Sequence, residues 1–130
     1  MAKKSIRLYK KEEVAFFRKT KEQHGGLSNM CAGFNLVVND VEILTSEAIY
    51  QACKYPHLPD VQEKIIEQKS PMAAKMVGKP FITEVRSDWY NIMIKVMRWC
   101  LGVKLAQNYD TFGVVLENTE NKDIVEESAK

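Results

Sequence analysis

All four prolines of the chain, Pro56, Pro59, Pro71 and Pro80, fall in its middle stretch and cut it into short helices. Proline fixes φ and has no amide hydrogen, so it stops a helix that reaches it and suits the first position of the next. Pro56 therefore ends a helix opened by Thr45 or Ser46, both good N-cap residues. Pro59-Asp60-Val61-Gln62-Glu63 reads as a capping-box start for a helix running to about Lys69. Ser70-Pro71 opens a third, closed by Gly78 and then Pro80. No such break interrupts Trp89 to about Gln107, capped by Ser87 or Asp88. Trp89, Ile92, Met93, Val96, Cys100 and Val103 recur there at helical spacing, which makes this the central core helix, with Lys95, Arg98 and Lys104 on its other faces.

The β-prone runs are shorter. Phe34–Val38 and Val41–Leu44 flank Asn39-Asp40, the best hairpin signal in the chain. The aromatic pair in Val14–Phe17 favours a strand, Ser5–Tyr9 alternates like one, and Asp123–Glu127 reads as a last strand. Asp110 is expected to cap a short helix through Glu117, and residues 19–26 form a polar loop ending in Gly25-Gly26. The expected architecture is a helix-rich α+β single domain over residues 1–130, with a small antiparallel sheet and one long central helix.

A chain of 130 residues buries roughly two-thirds of its unfolded surface, enough for one core. Its net charge of +2 demands no nucleic-acid partner and excludes none. Cys31, Cys53 and Cys100 form no CxxC pair. They are expected as inert core thiols in a reducing, cytoplasmic compartment. His24 and His57 are expected in surface loops, and nothing has zinc-ligand spacing. No apolar run is long enough for a signal peptide or membrane span. Nucleophile elbows, Walker loops and dinucleotide fingerprints are all absent.

That leaves chemistry by carboxylate, amide and aromatic. In the helix after the hairpin, Glu47, Tyr50, Gln51, Lys54 and Tyr55 share one face, and Ala48, Ile49, Ala52 and Cys53 share the other. The polar face is either a solvated surface or the floor of a polar site. With Thr45 as cap, Glu47 stands at the second helical position, where the helix dipole favours an ionised carboxylate. Such a group can stabilise an oxocarbenium-like transition state or orient a water beside a sugar carbon. Trp89 is either a core tryptophan or a ring on which a base stacks.

The same residues resemble a known family. Thr45-Ser46-Glu47 with Tyr50-Gln51-Ala52 and Lys54-Tyr55 resembles the signature of the NADAR family, also described as the riboflavin-intermediate N-glycosidase family. Gly26-Leu27-Ser28-Asn29-Met30, Ala74-Lys75 with Gly78-Lys79, Asp88-Trp89 with Val96-Met97-Arg98, Lys104 with Gln107-Asn108, and Ile124-Val125-Glu126 with Ser128 resemble further blocks of that family, in the same order. The resemblance covers about residues 16 to 130. It implies hydrolysis of the bond between ribose C1 and a nitrogen. The implied substrates are ADP-ribose-containing small molecules, ADP-ribosylated guanine in nucleic acid, or a ribosylamino-pyrimidine phosphate. Glu47 becomes the catalytic carboxylate. Trp89, Ser28, Asn29, Tyr50, Gln51, Lys54 and Lys75 become substrate contacts, the lysines as point charges for phosphate. No metal or redox cofactor and no membrane partner is implied.

The chain departs from the family at Ala48, often histidine, and at Met30 and Leu105, where aromatics are usual. The family pattern also continues past the last strand with an aspartate, an aromatic, a tryptophan and a glycine, and this sequence stops at Lys130, just before that motif. Three readings follow: an N-glycosidase, a module that binds ADP-ribose or NAD without cleaving it, and an interaction protein with a coincidental motif.

Overall fold

The computed structural model describes residues 10–17, 19–21 and 23–126. The alternating run Ser5–Tyr9, and Glu127 and Ser128 of the last expected strand, lie outside these. A 3-10 turn, Lys11–Glu13, leads into β1, Val14–Phe17. The hairpin is β2, Leu36–Val38, and β3, Val41–Ile43. Five helices follow: α1, Ser46–Ala52; α2, Pro59–Ile66; α3, Pro71–Gly78; α4, Trp89–Gln107; and α5, Tyr109–Glu117. A 3-10 segment, Lys79–Glu84, joins α3 to α4, and β4 is Asp123–Glu126.

The α+β class therefore holds, with two separate two-stranded ladders among the described residues. β2 and β3 pair antiparallel, Leu36 opposite Ile43 and Val38 opposite Val41. Asn39 and Asp40 join them with φ of 51° and 63°, the left-handed pair a two-residue hairpin turn requires. The other ladder is parallel: β1 pairs with β4, Val14 opposite Asp123 and Phe17 opposite Glu126. A parallel pair needs a long crossover, and here nearly the whole fold supplies it.

Helix boundaries follow local chemistry. The Thr45 hydroxyl accepts a hydrogen bond from the Ala48 amide and starts α1, and Ser70 does the same for α3 through Ala73. Three expected caps differ. Pro59 is the first residue of α2 and the preceding Leu58 has no capping side chain, so no capping box forms; the helix ends at Ile66 rather than Lys69. Asp88 occupies the N-cap position of α4, but its carboxylate turns to Arg86 instead, at 2.6 and 2.9 Å. Asn108, not Asp110, precedes α5. Its side-chain amide bonds the Lys104 and Asn35 carbonyls and so splices α5 to α4 and to the hairpin.

The core gathers around α1, which packs on α2, α3 and α4. Its small face, Ala48, Ile49 and Ala52, meets Leu36, Ile43, Val61, Ile65, Ala74 and Cys100. Tyr55 is fully buried and donates to the Gly78 carbonyl at 3.1 Å. A Cβ on Gly78 would lie 3.2 Å from Ile65 Cδ1, so α3 approaches the core closely here and a larger residue would need that side chain to shift.

The long helix α4 is central on one face only. Trp89 and Cys100 are buried, and Val96 and Val103 pack on the core, while Ile92 and Met93 are half-buried. Lys104, expected on an outer face, is wholly buried because Phe34 and Phe112 close over it, with Nζ 4.8 and 4.3 Å from their ring centroids. His24, expected in a surface loop, is buried as well, whereas His57 is exposed. Of the three free cysteines only Cys100 is fully buried; Cys31 lies in a loop, and Cys53, at the C-terminal cap of α1, is half-buried where it packs against the core. At the far end of α4, Gln107 accepts from the Val37 amide at 2.7 Å and donates to its carbonyl at 2.9 Å. Among the described residues, no helix is long and apolar enough to cross a membrane.

Candidate active site

The first turn of α1 carries a buried carboxylate. With Thr45 as cap, Ser46 and Glu47 are the first two helical residues, and the fold brings the 3-10 turn Gly25–Leu27 and the residues after it across them. Asn29 Nδ2 donates to Glu47 Oε2 at 2.6 Å, and Gln51 Nε2, one turn along α1, donates to Oε1 at 2.8 Å. The Ser46 hydroxyl donates to Asn29 Oδ1 at 2.5 Å, which fixes the orientation of that amide. Glu47 and Gln51 are each only 6% exposed. A carboxylate offers about four lone-pair positions. Two are filled here by amides, and the others remain for a water or a sugar hydroxyl.

Tyr50 and Lys54 stand on the same side of α1. Tyr50 packs edge-on against Trp89, with ring centroids 5.2 Å apart, and Lys54 Nζ lies 5.7 Å from the centroid of each ring. Burial, and then the neighbouring Glu47 charge, push the Tyr50 phenol above its ordinary value, so it remains a proton donor. Burial draws the Lys54 ammonium below its ordinary value, Glu47 partly restores it, and the nearby Lys75 charge lowers it again. Trp89 itself is buried, so Tyr50, half-buried, is the more accessible ring of the pair.

From Gln51 a cleft of about 300 Å³ runs between α1 and α3, with Lys54, Lys75 and Lys79 among its lining residues and no acidic residue there. The residues singled out from sequence thus divide. Glu47, Asn29 and Gln51 form one hydrogen-bonded cluster, Tyr50, Trp89 and Lys54 adjoin it, and Lys75 faces the cleft that begins at Gln51. Ser28 plays another part: its hydroxyl accepts from the Met30 amide at 3.1 Å and holds the turn that presents Asn29. Sequence reasoning missed Ser46, the anchor of Asn29, and Lys79, which the four-residue step from Lys75 along α3 could have flagged. Among the described residues, no three His, Cys, Asp or Glu side chains gather where they could hold a metal ion.

Comparison with known proteins places the chain in a family. The family model of the NADAR domain matches residues 15–130. The chain belongs to the NADAR family. It is 30% identical over 97 residues to a riboflavin biosynthesis protein of Vibrio vulnificus, a match covering 75% of this chain and 26% of that protein. The chain therefore spans about a quarter of the length of that curated relative. Its fold is similar to the NMR structure of the Escherichia coli protein YbiA, with a TM-score of 0.76 at 27% identity, covering 92% of this chain and 70% of that one.

Proposed function

We propose that this chain is an N-glycosidase that hydrolyses the bond between ribose C1 and a nitrogen in an ADP-ribose-type substrate, foremost ADP-ribose carried on guanine in nucleic acid. The observation that carries the reading is the buried Glu47 carboxylate, gripped on both oxygens by the side-chain amides of Asn29 and Gln51. A carboxylate fixed in this way is preorganised for a developing positive charge and has nothing to reorganise as the charge appears. As the C1–N bond breaks, the bonding pair leaves with the nitrogen and the sugar becomes oxocarbenium-like. Glu47 stabilises that cation and holds the water that adds to C1. The water gives up a proton, and the departing nitrogen ends with one. Asn29 and Gln51 act as positioning residues for the carboxylate. The lysines of the cleft support a phosphorylated substrate, since the cleft lining carries positive charge and no negative charge. The three free cysteines fit a reducing, cytoplasmic setting.

A second substrate, a ribosylamino-pyrimidine phosphate of riboflavin biosynthesis, is favoured by the name of the Vibrio relative. Hydrolysis of ADP-ribosylated DNA and of the pyrimidine ribotide by wild type and Glu47→Gln tests both readings together. The expected result is turnover of the ADP-ribosylated DNA by wild type, with a loss of about a hundredfold or more in the variant. Turnover unchanged by Glu47→Gln would remove Glu47 from the chemistry. Ligand binding without any release would leave a binding module. Turnover of the ribotide alone would select the second substrate.

A further inference from the structure

We propose that Cys53 and Cys100 form a redox-active dithiol, a site at which a hydroperoxide entering beside Arg86 converts the two thiols into a disulfide between the end of α1 and the middle of α4. The inference stands apart from the glycosidase reading and uses none of its residues.

Packing assembles the pair. Cys53 is the C-terminal cap residue of α1 and packs against the core cluster to which the fully buried Cys100 of α4 belongs. The two thiols are close enough to share a hydrogen bond, Cys100 donating to Cys53. Cys31 is elsewhere, in the loop before β2, where its thiol lies 3.5 Å from the Ala32 carbonyl.

Access separates the two roles. Cys53 lines a hollow of about 290 Å³ together with Arg86, Lys95 and Trp99, and a second hollow of about 310 Å³ between α1 and the hairpin. Cys100 lines neither, so an oxidant meets Cys53 first. An accessible thiol backed by a resolving thiol is the arrangement that reversible thiol oxidation needs.

Charge favours the same order. The Arg86 amide donates to the Lys54 carbonyl at 2.9 Å, which brings the guanidinium beside the end of α1. The hydrogen bond from Cys100 draws the Cys53 thiol below its ordinary value; burial opposes this and the Arg86 charge adds to it. The C-terminal end of a helix alone disfavours a thiolate, so these neighbours decide the sign. The same hydrogen bond, and then burial, push Cys100 up, so it keeps its proton.

The Cys53 thiolate attacks the terminal oxygen of the hydroperoxide and the O–O bond breaks. Cys53 becomes a sulfenic acid, and the alkoxide leaves and takes up a proton to give an alcohol, or water from hydrogen peroxide. The Cys100 sulfur then attacks that of Cys53, the S–O bond breaks, and hydroxide leaves with the Cys100 proton as water. Two electrons pass from the sulfurs to the peroxide, and a dithiol reductant reverses the change.

The test treats the reduced full chain with hydrogen peroxide, alkylates the remaining thiols and maps the peptides by mass. Trypsin leaves Cys31 and Cys53 in one peptide, so a second cut at Asp40 is needed. The expected product is a Cys53–Cys100 cross-link, reversed by dithiothreitol, with Cys53 consumed at least about tenfold faster than Cys31. Cys100→Ala should instead stop at a sulfenic acid on Cys53, trapped by dimedone. Where that variant does not fold, the wild-type map decides alone. Equal consumption of Cys31 and Cys53, a cross-link that includes Cys31, or oxidation of Cys53 without a cross-link in wild type would each overturn the site.

Discussion

Glu47 and Lys104 are both buried ionisable side chains, and they are buried in opposite ways. Glu47 has a partner on each oxygen, and one of those partners, Asn29, is itself held by Ser46. Among the described residues Lys104 Nζ has no hydrogen-bond partner, and it sits between two phenyl rings. Burying a charge costs little only when hydrogen bonds replace the lost water. The first arrangement holds a charge ready for use. The second leaves the ammonium to shed its proton more readily, and burial draws Lys104 down to about 8, with a smaller opposing effect from Cys31. The lesson is that burial alone does not mark a catalytic group; a satisfied network around it is the more informative sign.

That contrast can be broken at four points. The largest effect is expected at Glu47: the Gln variant should keep its melting temperature within a few degrees while its turnover falls by about a hundredfold or more. Equal losses of stability and activity would make Glu47 a structural residue.

Lys104→Met comes next, with the opposite sign. Replacing an unpartnered ammonium by a side chain of similar volume should raise stability by about 1–3 kcal/mol at pH 7, less whatever cation–π attraction the two rings supply. The sign follows from linkage. The folded state releases the Lys104 proton near pH 8, and the unfolded chain keeps it to about 10.5. Between those values the unfolded state binds more protons, so the wild type gains stability as pH rises. The advantage of the Met variant should therefore be full below pH 8 and shrink towards pH 10. Denaturant melts of both proteins across that range measure the difference directly, and a constant difference would contradict the buried-ammonium account.

Asn29→Ala should cost about 1.5–3 kcal/mol of interaction with the carboxylate, seen as a drop in kcat larger than any rise in KM. A change confined to KM would make Asn29 a substrate contact rather than a positioning residue. The smallest effect is Thr45→Ala, which removes the α1 cap and should cost about 1 kcal/mol of stability. Any loss of activity should be recovered by Thr45→Ser, which retains a capping hydroxyl.

What could be read from the sequence was local. Asn39-Asp40 marked the hairpin, Thr45 the cap and Pro71 the start of α3, because a turn, a cap and a proline each act within a few residues. The pairing of Glu47 with Gln51 was also within reach, being one helical turn long. What could not be read was tertiary. Nothing near Asn29 says that it meets Glu47, eighteen residues on. The parallel match of β1 with β4 joins opposite ends of the chain. Lys104 fell on an outer face by spacing, but Phe34 and Phe112 arrive from the hairpin approach and from α5 to cover it. Asp88 looked like a cap because its chemistry is right, and Arg86 competed successfully for it.

The amide of Gln107, bonded to both the N–H and the C=O of Val37, imitates one residue of a neighbouring strand. The middle of β2 thus meets a side chain at an edge where another chain could add a strand. A passing β-strand would have to displace two hydrogen bonds before it could extend this ladder. Replacing Gln107 by alanine would bare that edge, so the first symptom should appear in test tubes held at high concentration, as slow self-association of an otherwise folded protein.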